Sequence, residues 1–342
     1  YAFAPTLPPL KINDVSLKLS GDLLDYHAQL VGGAEGMAHI PHTHLELDAD
    51  GKLYQVNINR LSLAAQGGSA TLIGSADWKN GVQWQVQANL NKLNLRSYLP
   101  DFPAILSGEL INSGSVTDDS WKVNLPTLDL TGVLSGRPLS LQGSVLLSDQ
   151  TLLKVPTLLL NYGDNRIQAN GVLGEASDFA LAIQAPNLRG LYGDLSGAVT
   201  GNLGIKGKLT APSLTADMQV QNFHMQDIEL AKGTLQADIL NEPTVKGRLD
   251  FNAVLFRYAN SVQLHQFALN ISGDEQNHQI MLSSQGEPLA ADFKISGIFD
   301  RTLQQWKGSL SQVNIDTPIG GIKPNQTVAV AYDNNKTQAT VS

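Results

Sequence analysis

The chain has no cysteine in 342 residues, which excludes disulfides, thiol nucleophiles and Cys-ligated metals outright. Such a composition fits an oxidising compartment, where stray thiols would mispair. Charge is scarce: 16% of residues are Asp, Glu, Lys or Arg, and the formal net charge is -8. Lys and Arg form no cluster, so nucleic acid is not an expected partner, because phosphates are held by grouped cations. No run of about 20 apolar residues occurs, so no segment reads as a spanning helix. The opening stretch YAFAPTLPPLKIND lacks a basic n-region and an apolar h-region; it reads as a cut through a longer protein, not as a signal peptide. No nucleophile, base and orienting group stand in a definable relation. No enzyme and no cofactor is therefore expected.

What the chain does have is alternation. In VQWQVQANLNKLNL (82–95), Val82, Trp84, Val86, Ala88 and Leu90 alternate with Gln and Asn, the period-two signature of a half-buried strand. Then the phase slips, and the next apolar residues are Leu93 and Leu95. In an extended chain such a slip would turn later side chains to the opposite face. One extra residue, a β-bulge, bends the strand and returns them to the same side. The slip is read as a corner.

The same offsets recur at Leu10, Ile12, Val15, Leu17 and at Val56, Ile58, Leu61, Leu63. They return at Val123, Leu125, Leu128, Leu130 and at Leu153, Val155, Leu158, Leu160. Later copies are Met218, Val220, Phe223, Met225 and Val262, Leu264, Phe267, Leu269, with weaker ones at Ile183, Ala185, Leu188 and at Leu310, Val313, Ile315. An amphipathic helix would repeat every three to four residues instead. Copies begin at intervals of roughly 30–46 residues, each enough for one strand out and one back. Pro126 and Pro156 sit at slips, where a missing N–H is tolerated.

Turn chemistry sets expected registers. Asp50-Gly51 suggests a two-residue hairpin, pairing Leu47 with Tyr54, Leu45 with Val56 and Thr43 with Ile58. Lys79-Asn80-Gly81 fits a three-residue loop with Gly in the left-handed region, pairing Trp78 with Val82 and Ala76 with Trp84. Asn334-Asn335 as a two-residue loop pairs Tyr332 with Thr337, Val330 with Ala339 and Val328 with Val341. These turns predict an antiparallel meander with one apolar and one polar face.

One apolar face must be covered. No Gly/Ser linker or Pro-rich spacer divides the chain, so residues 1–342 read as one continuous repeat segment. The fold class expected is all-β, an elongated antiparallel repeat sheet whose bulged strands fold it into a trough; a run of closed sandwiches is the alternative. An open trough exposes more apolar surface than a soluble monomer usually shows. The residues expected to line it are Leu45, Leu47, Tyr54, Val56, Ile58, Leu72, Trp78, Val82, Trp84, Val86, Leu90, Leu93, Leu95, Trp121, Val123, Leu125, Leu128 and Leu130, with Trp306 on the same face farther on. Such a wall suits acyl chains. A buried CH₂ is worth ~0.8 kcal/mol, so a chain of about 16 carbons leaving a bilayer needs roughly 13 kcal/mol of compensation. A continuous apolar wall supplies it all along.

The run WQVQANLNKLNLRSYLPDFPAILSGEL (84–110), followed by GRPLSLQGSVLLSD (136–149), resembles the TamB family, within the larger AsmA-like group of Gram-negative envelope proteins. The resemblance implies a periplasmic protein anchored in the inner membrane, with a long U-shaped β-taco whose groove is hydrophobic. It implies phospholipids as cargo, moved toward the outer membrane. It also implies a part in outer-membrane protein assembly with the barrel partner TamA, through a region expected to lie outside these residues. The family has no catalytic motif. The rival reading is a protein-binding scaffold whose strand edges take up unfolded strands by β-augmentation.

Sharper motifs weigh less. In HIPHTH, His39, His42 and His44 suggest a metal, but His42, His44, Glu46 and Asp48 alternate with Leu45 and Leu47, the pattern of a solvated hairpin face. DADG (48–51) resembles the start of a calcium loop without its closing Glu and reads as a turn. Asp118-Asp119 could be a carboxylate pair but falls between strand patterns. GAVTGNLGIKG (197–207) lacks the ending of a P-loop, and its glycines read as strand or bulge positions. NIS (270–272) and NQT (325–327) match glycosylation acceptors without meaning in a bacterial periplasm.

Overall fold

The computed structural model describes residues 10–22, 24–36, 42–65, 67–97, 99, 102–259, 261–287, 290–317, 320–323, 326–333 and 336–341. Contacts gather the chain into two units. Unit 1 is Tyr1–Val172 with Leu191–Gly193, and unit 2 is Leu173–Gly190 with Asp194–Ser342.

Unit 1 holds β1 (Leu10–Gly21), β2 (Asp25–Gly36), β3 (Thr43–Lys52), β4 (Gln55–Ala65) and β5 (Gly68–Asp77). It continues with β6 (Val82–Asn94), a 3-10 turn (Leu95–Ser97), β7 (Ala104–Val116), β8 (Trp121–Leu134), β9 (Arg137–Ser148) and β10 (Leu153–Tyr162). The chain then runs through β11 (Asn165–Leu173). From β1 to β10 each strand pairs antiparallel with the next.

Unit 2 repeats the plan. Its strands are β12 (Ser177–Ala185), β13 (Ser196–Gly207), β14 (Ser213–Met225), β15 (Ile228–Leu240), β16 (Lys246–Tyr258) and β17 (Val262–Asp274). They continue as β18 (His278–Glu287), β19 (Ala290–Asp300), β20 (Gln305–Thr317), β21 (Gly320–Ile322), β22 (Val328–Asp333) and β23 (Lys336–Val341). Neighbours pair antiparallel up to β20, which pairs with both β21 and β22, and β22 pairs with β23. The all-β, antiparallel repeat class expected from the alternation is the one observed.

The bulges lie where the phase slips. Register shifts fall between Asn13 and Ser16, Ile58 and Leu61, Leu90 and Leu93, Leu125 and Leu128, and Lys154 and Thr157. In unit 2 they fall beside Asn222, at His265 and at Gln312. The extra residue often takes a left-handed conformation: Asp14, Lys92, Asn222 and Gln312 have φ of 52, 50, 48 and 53. Such backbone crowds Cβ against the following carbonyl, so the bend is held by the ladders on either side. The slip at Ile183, Ala185 and Leu188 is different. There β12 stops at Ala185 before Pro186, and Leu188 is buried with its N–H donated to the Gly197 carbonyl.

The registers beside two turns fall largely as expected, and one turn does not. Ala76 pairs with Trp84, and Gly81 has φ 89. Trp78 lies one residue beyond β5, so its pairing with Val82 is not made; its N–H goes to the Tyr54 carbonyl at 2.9 Å. Val328, Val330 and Tyr332 pair with Val341, Ala339 and Thr337, although Asn334 and Asn335 lie outside the described residues. The Asp50-Gly51 turn is corrected: both residues are inside β3, and the turn is Leu53-Tyr54. Leu47 pairs with Leu61 and Leu45 with Leu63, after a shift at Asp48/Ala49. The glycine serves a close approach instead, since a Cβ on Gly51 would lie 2.0 Å from Cζ of Tyr26.

Candidate functional site

Cross-strand partners share a face, as do residues two apart along a strand. The ladders therefore read out one face directly. In unit 1 a row runs from β1 to β10 through Leu17, Leu30, Leu47, Leu61, Leu72, Ala88, Leu110, Leu128, Gly143 and Leu158. Beside it lie Leu45, Leu63, Ala70, Leu90, Gly108, Leu130, Leu141 and Leu160. A third row holds Val56, Ala76, Trp84, Gly114, Val123 and Leu147. Ile58, Gly74 and Val86 stand between, Val82 and Trp121 both pair with Val116, and Leu125 pairs with Val145.

Most of the residues expected to line a trough thus meet on one face. Three do not take the expected place. Tyr54 is a turn residue and Trp78 stands past the end of its strand; the hydrogen bond between their backbones sets the two side by side at the margin. Leu95 sits in the 3-10 turn and packs on the small core formed by Ala104, Leu106, Leu134, Leu139 and Tyr162. Leu93 joins the same end of the sheet through its partner Leu106. That core closes one margin of unit 1, where Tyr162 and Leu134 are almost wholly buried.

Unit 2 carries an equivalent face that was largely missed in the sequence. One row is Leu181, Leu203, Ala216, Ala237, Leu249, Ile271, Ile280, Ile295, Leu310 and Val328. Next to it run Met218, Leu235, Phe251, Leu269, Leu282 and Phe293. Phe251 and the diagonal Phe267 meet at 5.8 Å. The alternation in these strands was the available signal; only its bulged segments stood out. Trp306 pairs with Phe299 and Tyr332 on this face.

Polar groups are rare on the face and are internally satisfied where they occur. Asn112 accepts Trp84 Nε1–H at 2.6 Å and donates to the Asn124 carbonyl at 3.2 Å. The opposite face is a polar ladder. Asn59 donates to Asp48 at 2.8 Å and to Asp50 at 2.6 Å, and His27 Nδ1 lies 2.8 Å from Asp50. The Asn59 amide holds both carboxyls below their usual range, helped by Gln29 at Asp48 and by His27 at Asp50. His44 meets Glu46 at 3.1 Å, both half-exposed, on that solvated side. His39 lies outside the described residues. DADG belongs to β3, 197–207 to β13, and Asp118-Asp119 to an exposed loop.

Among the described residues the apolar rows stay largely half-buried within each unit. On the face Val82, Trp121 and Leu17 are 48%, 41% and 56% exposed, and Trp78 at its margin 43%. Chemically the site is a set of adjoining hydrocarbon rows with neutral hydrogen-bonded interruptions.

No solved structure matches the chain. It is 49% identical over all 342 residues to the translocation and assembly module subunit TamB of Haemophilus influenzae, covering 26% of that protein. A protein of Buchnera aphidicola from Acyrthosiphon pisum, with no characterised function, is 22% identical over 239 residues, 66% of this chain and 23% of its own length. A second Buchnera protein, from Schizaphis graminum, is 22% identical over 220 residues, 63% of this chain and 22% of its own. The chain thus spans about a quarter of the length of the curated relatives it matches. The family described as TamB, N-terminal domain, matches residues 5–342. Alternating, bulged strands from end to end, a domain matched across them and a relative identical at half its positions lead to one conclusion: the chain belongs to the TamB family, in its N-terminal domain.

Proposed function

We propose that this chain is a segment of a lipid bridge, holding phospholipid acyl chains on the apolar faces of its sheet and passing them between the inner and outer membranes of a Gram-negative envelope. The observation that carries the reading is the pair of ten-strand apolar rows, half-buried among the described residues of each unit. A chain lying along them exchanges water for Leu, Ile and Val at every step, at ~0.8 kcal/mol per CH₂. The similar contacts from strand to strand leave little barrier to sliding. Headgroups remain in water at the open side. The full-length protein is then periplasmic and held in the inner membrane, with residues 1–342 as one continuous repeat segment.

The test is native mass spectrometry of the purified chain, with extraction and identification of what it carries. Co-purified phospholipid in more than one copy per chain is the expected result. Val86→Asp combined with Leu128→Asp places charge in two adjoining rows and is expected to end crosslinking to a photoreactive phospholipid while the chain stays folded. Crosslinking at the original level would overturn the reading.

A second reading follows from the name of the Haemophilus relative, a subunit of a translocation and assembly module. Strand edges would then receive segments of outer-membrane proteins by β-augmentation, with the barrel TamA as partner. A lipid-free chain that captures unfolded β-barrel peptides would favour it.

A further inference from the structure

The apolar face of unit 2 holds a cavity of about 350 Å³, bordered by Ile239, Leu249, Ile271, Ile280, Phe299 and Trp306. Trp306 is on β20, yet its indole reaches across β19 to β18, where Nε1 donates to His278 Nε2 at 2.6 Å. An indole nitrogen only donates, so Nε2 accepts and the His278 proton is on Nδ1, donating to the Asp274 carbonyl at 3.1 Å. The indole crosses the sheet because the positions beneath it are glycines. A Cβ on Gly297 would fall 2.4 Å from Cζ2 and 2.6 Å from Cε2, and one on Gly308 would fall 2.5 Å from Cη2. Unit 1 uses the same device. There Trp84 crosses Gly114, where a Cβ would fall 2.2 Å from Cζ2, and donates to Asn112.

In both places the one polar atom of the indole is consumed inside the sheet. What remains toward the cavity is ring, offering hydrocarbon a smooth wall and a polar ligand no partner. Lys246, Arg248, Asp274 and Glu275 also border the cavity; Arg248 is paired with Asp250 and Glu275 with Arg301.

We propose that Trp306, laid over Gly297 and Gly308 and tethered to His278, is the wall of a discrete seat for one phospholipid acyl chain, and that Gly297 keeps the seat open by letting the indole lie down. The proposal rests on the lipid reading above and assigns it a first specific station. It is tested with phosphatidylcholine brominated on its acyl chains, which quenches tryptophan in direct contact. Two forms of the chain are made, one keeping only Trp306 and the other only Trp84, with the remaining tryptophans replaced by Phe.

Quenching of Trp306 by more than half is expected. Gly297→Ala, whose Cβ meets only the indole, is expected to remove most of it while leaving Trp84 quenching in the other form unchanged. Circular dichroism checks the fold, and Ile280→Ser, which leaves the glycines alone, reads the same loss should Gly297→Ala not fold. Quenching of Trp84 without Trp306 overturns the seat and leaves the lipid reading standing. Absence of quenching at both overturns the lipid reading and the seat with it. Full Trp306 quenching in folded Gly297→Ala overturns the role of the glycine.

Discussion

Glu275 is the most covered carboxylate among the described residues, its side chain 8% exposed. It accepts the Val245 N–H at 2.9 Å and Arg301 Nε–H at 2.8 Å, while Arg301 Nη2 donates to Asn241 Oδ1 at 2.9 Å. One carboxylate therefore ties together the turns after β15, β17 and β19, beside the cavity of Trp306. The Val245 amide, followed by Arg301, holds its pKa below the ordinary value of 4.5. A carboxyl depressed on folding adds stability that is present above its unfolded pKa and lost as pH falls through its folded one. Thermal stability should therefore fall below pH 4.5, and Glu275→Gln should flatten that limb of the profile. At neutral pH the substitution is expected to cost about 1.5–3 kcal/mol, the range for a hydrogen bond to a charged group. Identical profiles for the two proteins would remove Glu275 from this role.

At the scale of the strand, the bulge is the unit that matters. It holds one face apolar across a bend, at the expense of residues such as Lys92 in left-handed backbone, a conformation Leu255 also takes opposite the bulge at His265. A non-glycine there costs roughly 1–2 kcal/mol, and glycine regains part of it. Leu255→Gly is expected to raise unfolding stability by about 0.5–1 kcal/mol in urea titration, after the entropy cost of glycine. The reverse holds opposite the bulges. Gly108 has φ 132 and a Cβ there would lie 1.9 Å from the Asp129 carbonyl oxygen, so Gly108→Ala should destabilise by about 1–3 kcal/mol. A stable Gly108→Ala chain would show that the β7–β8 ladder gives way more easily than its register suggests.

For the whole molecule the governing quantity is uncovered apolar surface. Most domains bury such faces against another layer; here, among the described residues, the rows stay half-buried. An apolar dye whose fluorescence rises on desolvation should bind the native chain, and added phospholipid should displace it. Dye bound only after denaturation would mean that the faces are covered in solution, as in closed sandwiches. The scarcity of charge read in the sequence follows from this plan, since a strand with one wall face has only alternate positions left for solvent.

The alternation in the sequence determined the all-β class, the apolar face and, through the slips at Leu90/Leu93 and Leu125/Leu128, the places where strands bend. Those properties are local, because face and bulge follow from side-chain order along one strand. Turns with a single strained residue were legible too, as at Gly81. The Asp50-Gly51 hairpin was not, because Asn59 bulges on the partner strand and the Tyr26 ring claims the space over Gly51. The same reason hid the roles of Gly114, Gly297 and Gly308. Their missing side chains answer to tryptophans one strand away, a relation that exists only once the ladders have aligned. The grouping into two units and the tie between Glu275 and Arg301 were likewise decided by tertiary structure, since each depends on contacts between strands and turns well separated in the chain.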